Sequence, residues 1–330
     1  MKKTIYVFKD GEFKRKDNTL YFETEAGKKY LPVEDVKEII AFGEVSLNKR
    51  FLEFLTKKEI ILHFLNDYGY YVGSYYPREH YNSGYMILRQ SEYYLDEEKR
   101  LDLARRFVCG AAANILNVLR YYNNRGKELH NEIGHITSLE AKIETSAAID
   151  ELMAIEGNIR EAYYAGFNTI INKNDFVFHG RNKRPPRDRI NALISYGNTL
   201  AYIAVLSEIY KTHLDPRIGY LHTTNFRRFT LNLDVAEIFK PILVDRLIFS
   251  LIGRNMMKSS DFESKANGIL MNDKGRKLFA QEWENRLRTT IKHRELGREV
   301  SYRRLIRMEL YKIEKHLMGE KEYEPFVSRW

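Results

Sequence analysis

The chain has 330 residues, 44% of them apolar, and a formal net charge of +9, which is enough for two domains with cores of their own. No apolar run approaches the ~20 residues that span a bilayer, so no membrane association is expected, and the single cysteine, Cys109, excludes an internal disulfide and fits a reducing cytoplasm. The positive excess is uneven: residues 1–77 are close to neutral and residues 78–330 carry the surplus, so a polyanionic partner is expected at the second part.

The opening residues, with Asp10 and Glu12 soon after the first apolar positions, are too short for a signal-peptide core and read as a strand. Runs of β-branched and aromatic residues at 4–8, 19–24, 29–33, 38–42, 60–65 and 70–76 predict strands, with turn signals at Asp10-Gly11 and Asp17-Asn18 and a helix at 48–58. Residues 1–77 therefore form a small, mostly β domain. Pro77, Asn82, Ser83 and Gly84 mark a linker after the first domain, at residues 78–89. The tyrosines crowded there are ordinary strand residues or, in the alternative, stacking platforms.

From residue 90 onward the pattern is helical, over 90–123, 128–148 and 149–172. The fold class is thus α+β, with the β domain followed by an all-α domain at 90–330. On the third helix Leu152, Glu156, Ile159, Tyr163 and Phe167 share one face. A carboxylate on that apolar face is costly to ionise unless a cation meets it; alternatively, Glu156 sits at the rim of the stripe. Residues 179–189 then form a loop with five Lys or Arg in eleven, suited to phosphate or simply solvated. Asp188 caps a helix at 190–211. After residue 252 come a loop or short helix at 261–272 and helices at 275–293 and 299–318. Residues 274–316 hold 13 basic against 6 acidic side chains. The tail is expected to dock through Phe326 and Trp330.

Residues 214–246 concentrate the chemistry. Asp215-Pro216 opens a turn, His222 follows in a loop, and Asn225-Phe226-Arg227-Arg228-Phe229 is basic and aromatic. A helix beginning near Asp234 carries Glu237 one turn later and Lys240 one turn beyond. An imidazole and two carboxylates are ligands for a hard or borderline divalent cation. Asp-x-x-Glu is equally the start of a capped helix, and that alternative stays open on spacing alone.

Four blocks carry a family resemblance: Glu156-Gly157 with Tyr163-Tyr164; Arg184-Pro185-Pro186-x-Asp188-x-x-Asn191-Ala192-Leu193-x-Ser195-Tyr196-Gly197; Leu214-Asp215-Pro216-x-x-Gly219-Tyr220-Leu221-His222; and Leu233-Asp234-x-x-Glu237-x-Phe239-Lys240-Pro241-x-x-x-Asp245-Arg246. In this order they resemble the CRISPR-associated DNA integrase/endonuclease family, the proteins of spacer acquisition. The resemblance implies metal-dependent strand transfer: the 3′-hydroxyl of a short captured DNA attacks a phosphodiester at the edge of a CRISPR repeat. By position it makes Glu156, His222 and Glu237 the ligands of Mg²⁺ or Mn²⁺ and catalytic residues, with Asp234 auxiliary. It also implies double-stranded DNA as substrate, a homodimer built largely through the N-terminal domain, and a smaller ferredoxin-like CRISPR partner protein. Candidate phosphate contacts are Arg181, Lys183, Arg184, Arg227, Arg228, Lys240 and Arg246. At His213, before Leu214, a glycine is common in the family, which bears on the local turn only. The rival readings are a non-catalytic nucleic-acid-binding module, which gives the three ligand residues no reason to meet, and an unrelated metal-dependent hydrolase, which has no need of the basic loop.

Overall fold

The computed structural model describes residues 2–329 except 17–18, 32, 79–80, 82, 224–228, 266 and 294–295. Two compact units meet in sequence at residues 80 and 81. The first holds β1 (Lys3–Val7), β2 (Gly11–Lys16), β3 (Thr19–Thr24), β4 (Gly27–Leu31), β5 (Val36–Ala41), β6 (Val45–Leu47), α1 (Lys49–Lys58), β7 (Ile61–Leu65) and β8 (Tyr71–Tyr75). They make two four-stranded sheets, ordered β1-β5-β7-β8 and β4-β3-β2-β6. Phe13, Leu20, Ile39, Phe51, Phe54 and Leu62 belong to one buried cluster. The strand β2 fills the stretch between the two turn signals, where the sequence pattern predicted no strand. Only Phe13 of its six residues is fully buried, so its apolar signal is a single residue among charges, while its pairing with β3 is complete in register.

In β7 His63 is fully buried, with Nδ1 2.6 Å from the Ser74 hydroxyl. Burial drives its pKa from 6.5 down to about 4, against the opposing charge of Glu38. Below pH 6.5 the unfolded chain takes up a proton that the folded chain refuses until about pH 4. Stability is therefore lost as pH falls through this window, by at most about 3 kcal/mol. In thermal melts from pH 7 to pH 4, His63→Gln is expected to flatten that part of the decline; an unchanged slope assigns it to other groups.

The second unit is largely helical, as α2 (Gly84–Leu95), α3 (Glu97–Asn123), α4 (His130–Glu140), α5 (Ile149–Ala165), α6 (Phe167–Ile171), α7 (Arg189–Ile209), α8 (Leu231–Lys240), α9 (Arg246–Gly253), α10 (Asp273–Arg288) and α11 (Tyr302–Leu317). It is not all-α. Strands β9 (Phe262–Lys265) and β10 (Gly268–Met271) form one hairpin, and β11 (Thr290–Lys292) and β12 (Glu299–Ser301) another. The first hairpin seats the basic loop: Ile269 N donates to Pro186 O at 2.8 Å, and a Cβ on Gly268 would lie 2.5 Å from that of Pro185. The helix expected over 90–123 is broken at Asp96, whose carboxylate caps α3 by accepting Lys99 N at 3.0 Å. Helix α2 starts at Gly84, inside the segment read as a linker.

Helix α7 is long and apolar enough to cross a membrane, by length and composition, yet 83% of that stretch is buried within the unit. It is the central helix, apolar all round because α8, α11 and β10 pack on it. The tail docks as expected at Phe326, whose ring stacks on Phe239 at 5.6 Å. Asn114 of α3, fully buried, donates to Phe326 O and to Ile238 O of α8, at 2.9 and 3.0 Å, and so ties tail and helix together. Trp330 lies outside the described residues.

Candidate active site

Two anchored pieces build the site. The first is the loop that ends in His222. Asp234 of α8 is fully buried. Its Oδ2 accepts the N–H groups of Tyr220 and Leu221, at 2.6 and 3.1 Å, and its Oδ1 accepts His222 N at 3.0 Å and lies 2.7 Å from His222 Nδ1. One carboxylate thus fixes three backbone groups and the imidazole ring. Gln90 holds the start of the loop, accepting Asp215 N at 2.7 Å and donating to Asp215 O at 3.1 Å. With Nδ1 committed to Asp234, Nε2 is the ring nitrogen left for a ligand. Burial opposes a charge on His222, but the bond to Asp234 and the charges of Asp234, Glu237 and Glu156 outweigh it and raise its pKa. The helix-capping alternative for Asp234 and Glu237 is overturned: α8 starts at Leu231 with Thr230 at its N-cap, and Asp234 turns to the loop instead of pairing with Glu237 across one helical turn.

The second piece joins α5 to α8. Arg160, one turn after Glu156, reaches Glu156 Oε1 through Nε at 3.3 Å and Glu237 Oε2 through Nη2. Lys240 Nζ lies 2.5 Å from Glu237 Oε1 and 3.3 Å from the Tyr202 hydroxyl. Burial alone would push the Glu237 carboxyl up; the Lys240 and Arg160 charges hold it well below the usual range. Glu156 is less enclosed, with 18% of its side chain exposed against 8% for Glu237, so the site opens on the Glu156 side. Behind it, residues Pro241–Asp245 form a π-helical turn leading into α9. Pro241 has no N–H to offer the Glu237 carbonyl, and Arg160 Nη2 donates to it at 3.3 Å. The Ile238 carbonyl accepts Asn114 Nδ2, and the Ile242 carbonyl accepts Arg286 Nη2 at 2.7 Å. Side chains thus serve the backbone where the helix widens.

The candidate phosphate contacts divide. Lys183 is exposed, though partial burial and the charges of Arg181 and Lys240 lower its pKa against the pull of Glu237 and Glu156. Arg184 is exposed. Arg181 is taken up in the fold, donating to Asn191 Oδ1 at 2.8 Å and Ser195 Oγ at 3.1 Å. Lys240 is spent on Glu237. Arg246 stacks over the Tyr121 ring, 4.6 Å from its centroid. Arg227 and Arg228 lie outside the described residues. Sequence reasoning missed Arg160, although a Glu-x-x-x-Arg spacing on α5 announces it, and gave Asp245 no role.

A model of the CRISPR-associated protein Cas1 family matches residues 5–285. The chain belongs to the Cas1 family. A CRISPR-associated endonuclease Cas1 of Thermodesulfovibrio yellowstonii is 63% identical over 330 residues, covering all of both chains. The solved Cas1 protein of Thermotoga maritima is 48% identical with a TM-score of 0.89, over 97% of this chain and 99% of that one. The fold also matches a casposase bound to its integration product, with a TM-score of 0.88 at 21% identity, over 100% of this chain and 96% of that one.

This Cas1 family member is a CRISPR-associated endonuclease, and its site suits the divalent ion such chemistry uses. Two carboxylates and an imidazole under one electrostatic influence are oxygen and nitrogen donors of the right kind. Among the described residues, no three His, Cys, Asp or Glu side chains stand close enough to hold one ion as they are. The positive charge that Glu156 and Glu237 require is supplied by Arg160 and Lys240. The fit lies in the donor set, not in the present spacing of the side chains.

Proposed function

We propose that this chain inserts short DNA fragments into a CRISPR array, using a divalent ion, Mg²⁺ or Mn²⁺, held by Glu156, His222 through Nε2, and Glu237. The bound ion would supply charge for the phosphoryl oxygens and activate the attacking hydroxyl. The rest falls to the chain's own residues. Asp234 fixes the His222 ring and keeps Nε2 free of its own bond. Lys183 and Arg184, both exposed, meet the DNA backbone, and Arg181 braces their loop. Lys240 has a second duty, neutralising phosphate once an ion relieves it of Glu237. Arg227, Arg228 and Arg246 extend the basic track. The chain works in the cytoplasm as a homodimer, through its N-terminal unit, bridged by a smaller ferredoxin-like CRISPR partner. The single observation that carries the reading is Asp234 holding His222 by Nδ1, with His222 under the charges of Glu156 and Glu237.

The test is joining of a short duplex to a supercoiled plasmid that carries the CRISPR repeat, with the partner protein, in Mn²⁺ or EDTA. Wild type joins only with metal. Glu156→Gln and His222→Asn are expected to bind DNA and lose joining by more than about a hundredfold. Variants that join like wild type would remove these residues from the site. A wild type that binds DNA but never cuts or joins it, under any metal, is a binding module.

A further inference from the structure

Three buried polar atoms of α5 and the π-helical turn make no well-formed hydrogen bond: Arg160 Nη1, Tyr163 Oη and Asp245 Oδ2. Arg160 is 8% exposed, Tyr163 0% and Asp245 1%. Buried orphans are uncommon, and each calls for a cause. Burial pushes the Asp245 carboxyl up to about 6, against the charges of Arg160 and Lys240 and the Tyr163 hydroxyl, which favour its ionised form. The three atoms are complementary, a guanidinium N–H and a hydroxyl facing a carboxylate oxygen.

The backbone explains why Asp245 is there. Seven α-helical steps bring a side chain back to within about 20° of its starting face, and eight leave it about 80° away. Asp245 is eight residues after Glu237. The π-helical turn at Pro241–Asp245 absorbs one residue and returns Asp245 to the Glu237 side of the helix. Pro241, the first residue of that turn, has no N–H for the Glu237 carbonyl, which Arg160 Nη2 holds instead. Arg160 is therefore tethered to α8 by a contact independent of either carboxylate; Nη2 also meets Glu237 Oε2, and Nη1 is the donor left for Asp245 Oδ2.

We propose that Arg160 is a two-position switch: its guanidinium bridges Glu156 and Glu237 when no ion is bound, and transfers to Asp245 when an ion takes those carboxylates. The inference rests on the metal reading above and deepens it. Arg160 is a positioning residue. It stands in for the ion at rest, and Asp245 gives its charge a place to go. Without Asp245 the ion must displace a buried guanidinium that has no other partner, so it binds less well. Tyr163 supplies a further donor to the Asp245 carboxylate in both positions.

The test is Mn²⁺ binding to the full chain without DNA, by titration calorimetry and by the electron-paramagnetic signal of free Mn²⁺. Asp245→Asn is expected to weaken Mn²⁺ binding at least tenfold while the metal-free thermal midpoint holds. Arg160→Gln is expected to lower the metal-free midpoint and to gain more from Mn²⁺ than wild type does. In the Arg160→Gln background Asp245→Asn should have no further effect on Mn²⁺ affinity. If Arg160→Gln does not fold, Arg160→Lys, which keeps the charge but cannot bridge two carboxylates, replaces it in the cycle. Equal weakening by Asp245→Asn in both backgrounds, or none in either, overturns the switch. The outcomes separate the two proposals. If Glu237→Gln loses Mn²⁺ while Asp245→Asn binds as wild type does, the metal site stands and the switch falls. If wild type and Glu237→Gln bind Mn²⁺ alike, the metal site fails and the switch with it.

Discussion

Glu237→Ala is expected to abolish DNA joining and, in EDTA, to cost about 3–5 kcal/mol of stability, the range for removing one partner of a buried ion pair. Few active-site carboxylates would show both losses, since most face water. Glu237 has both oxygens engaged by cations, Arg160 on one and Lys240 on the other, and these are 8% and 6% exposed. Removing the carboxylate leaves the Lys240 charge buried without its carboxylate partner, and leaves Arg160 to Glu156, 3.3 Å away, and to Asp245. Adding Lys240→Met to Glu237→Ala should recover part of the loss, because one uncompensated charge disappears and its stem is replaced by an apolar one. Joining should not recover. Urea denaturation of the two variants and wild type, in EDTA, makes the comparison. If Glu237→Ala is as stable as wild type, the two cations are solvated when unpaired, and the charge cluster has no structural role.

The family blocks located the right parts of the chain because each corresponds to an anchored piece of structure. The aspartate, glycine and histidine of the third and fourth blocks are the Asp234-bound loop. The Glu156 stripe was visible because α5 buries Leu152, Ile159 and Tyr163 on the same face. What the sequence hid was the pairing of charges across helices. A glutamate and an arginine four apart look like an ordinary exposed pair, and nothing in the spacing says that Arg160 also spans 77 residues to Glu237. Asp234 was misread as a possible cap for a related reason. Its three N–H partners lie 12 to 14 residues upstream, beyond any local rule. Helix boundaries erred where a polar side chain interrupts a continuous apolar pattern, as Asp96 does between α2 and α3. Both hairpins of the second unit were overlooked because their strands are only three or four residues long, too short for an alternating pattern to show.

Gly219→Ala is expected to reduce joining by more than about a hundredfold, although it changes no ligand, no charge and no group that touches DNA. A Cβ at Gly219 would stand 2.7 Å from the Thr230 carbonyl carbon, 2.8 Å from Asp234 Oδ2 and 2.9 Å from Leu231 N. Two of these atoms are backbone at the start of α8. The third belongs to a carboxylate locked by three N–H groups and an imidazole. None is the free end of a flexible side chain, so the loop itself must lift. The loop is held down at that point by Gly219 N, which donates to Thr230 Oγ1 at 2.8 Å. Lifting it pulls Tyr220, Leu221 and His222 off Asp234, leaves a fully buried carboxylate short of donors, and releases the His222 ring to rotate. The strain of such overpacking is about 1–3 kcal/mol, and a loosened second partner of a metal-bound histidine costs about 10- to 100-fold on its own. Gly134 is the control: a Cβ there meets nothing within 4 Å, and Gly134→Ala within α4 should be neutral or gain up to about 1 kcal/mol. Mn²⁺ titration and the joining assay on the two variants decide the matter. A Gly219→Ala protein that binds Mn²⁺ and joins DNA like Gly134→Ala would mean that the loop has room the structure does not give it, and that Asp234 is not what aims His222.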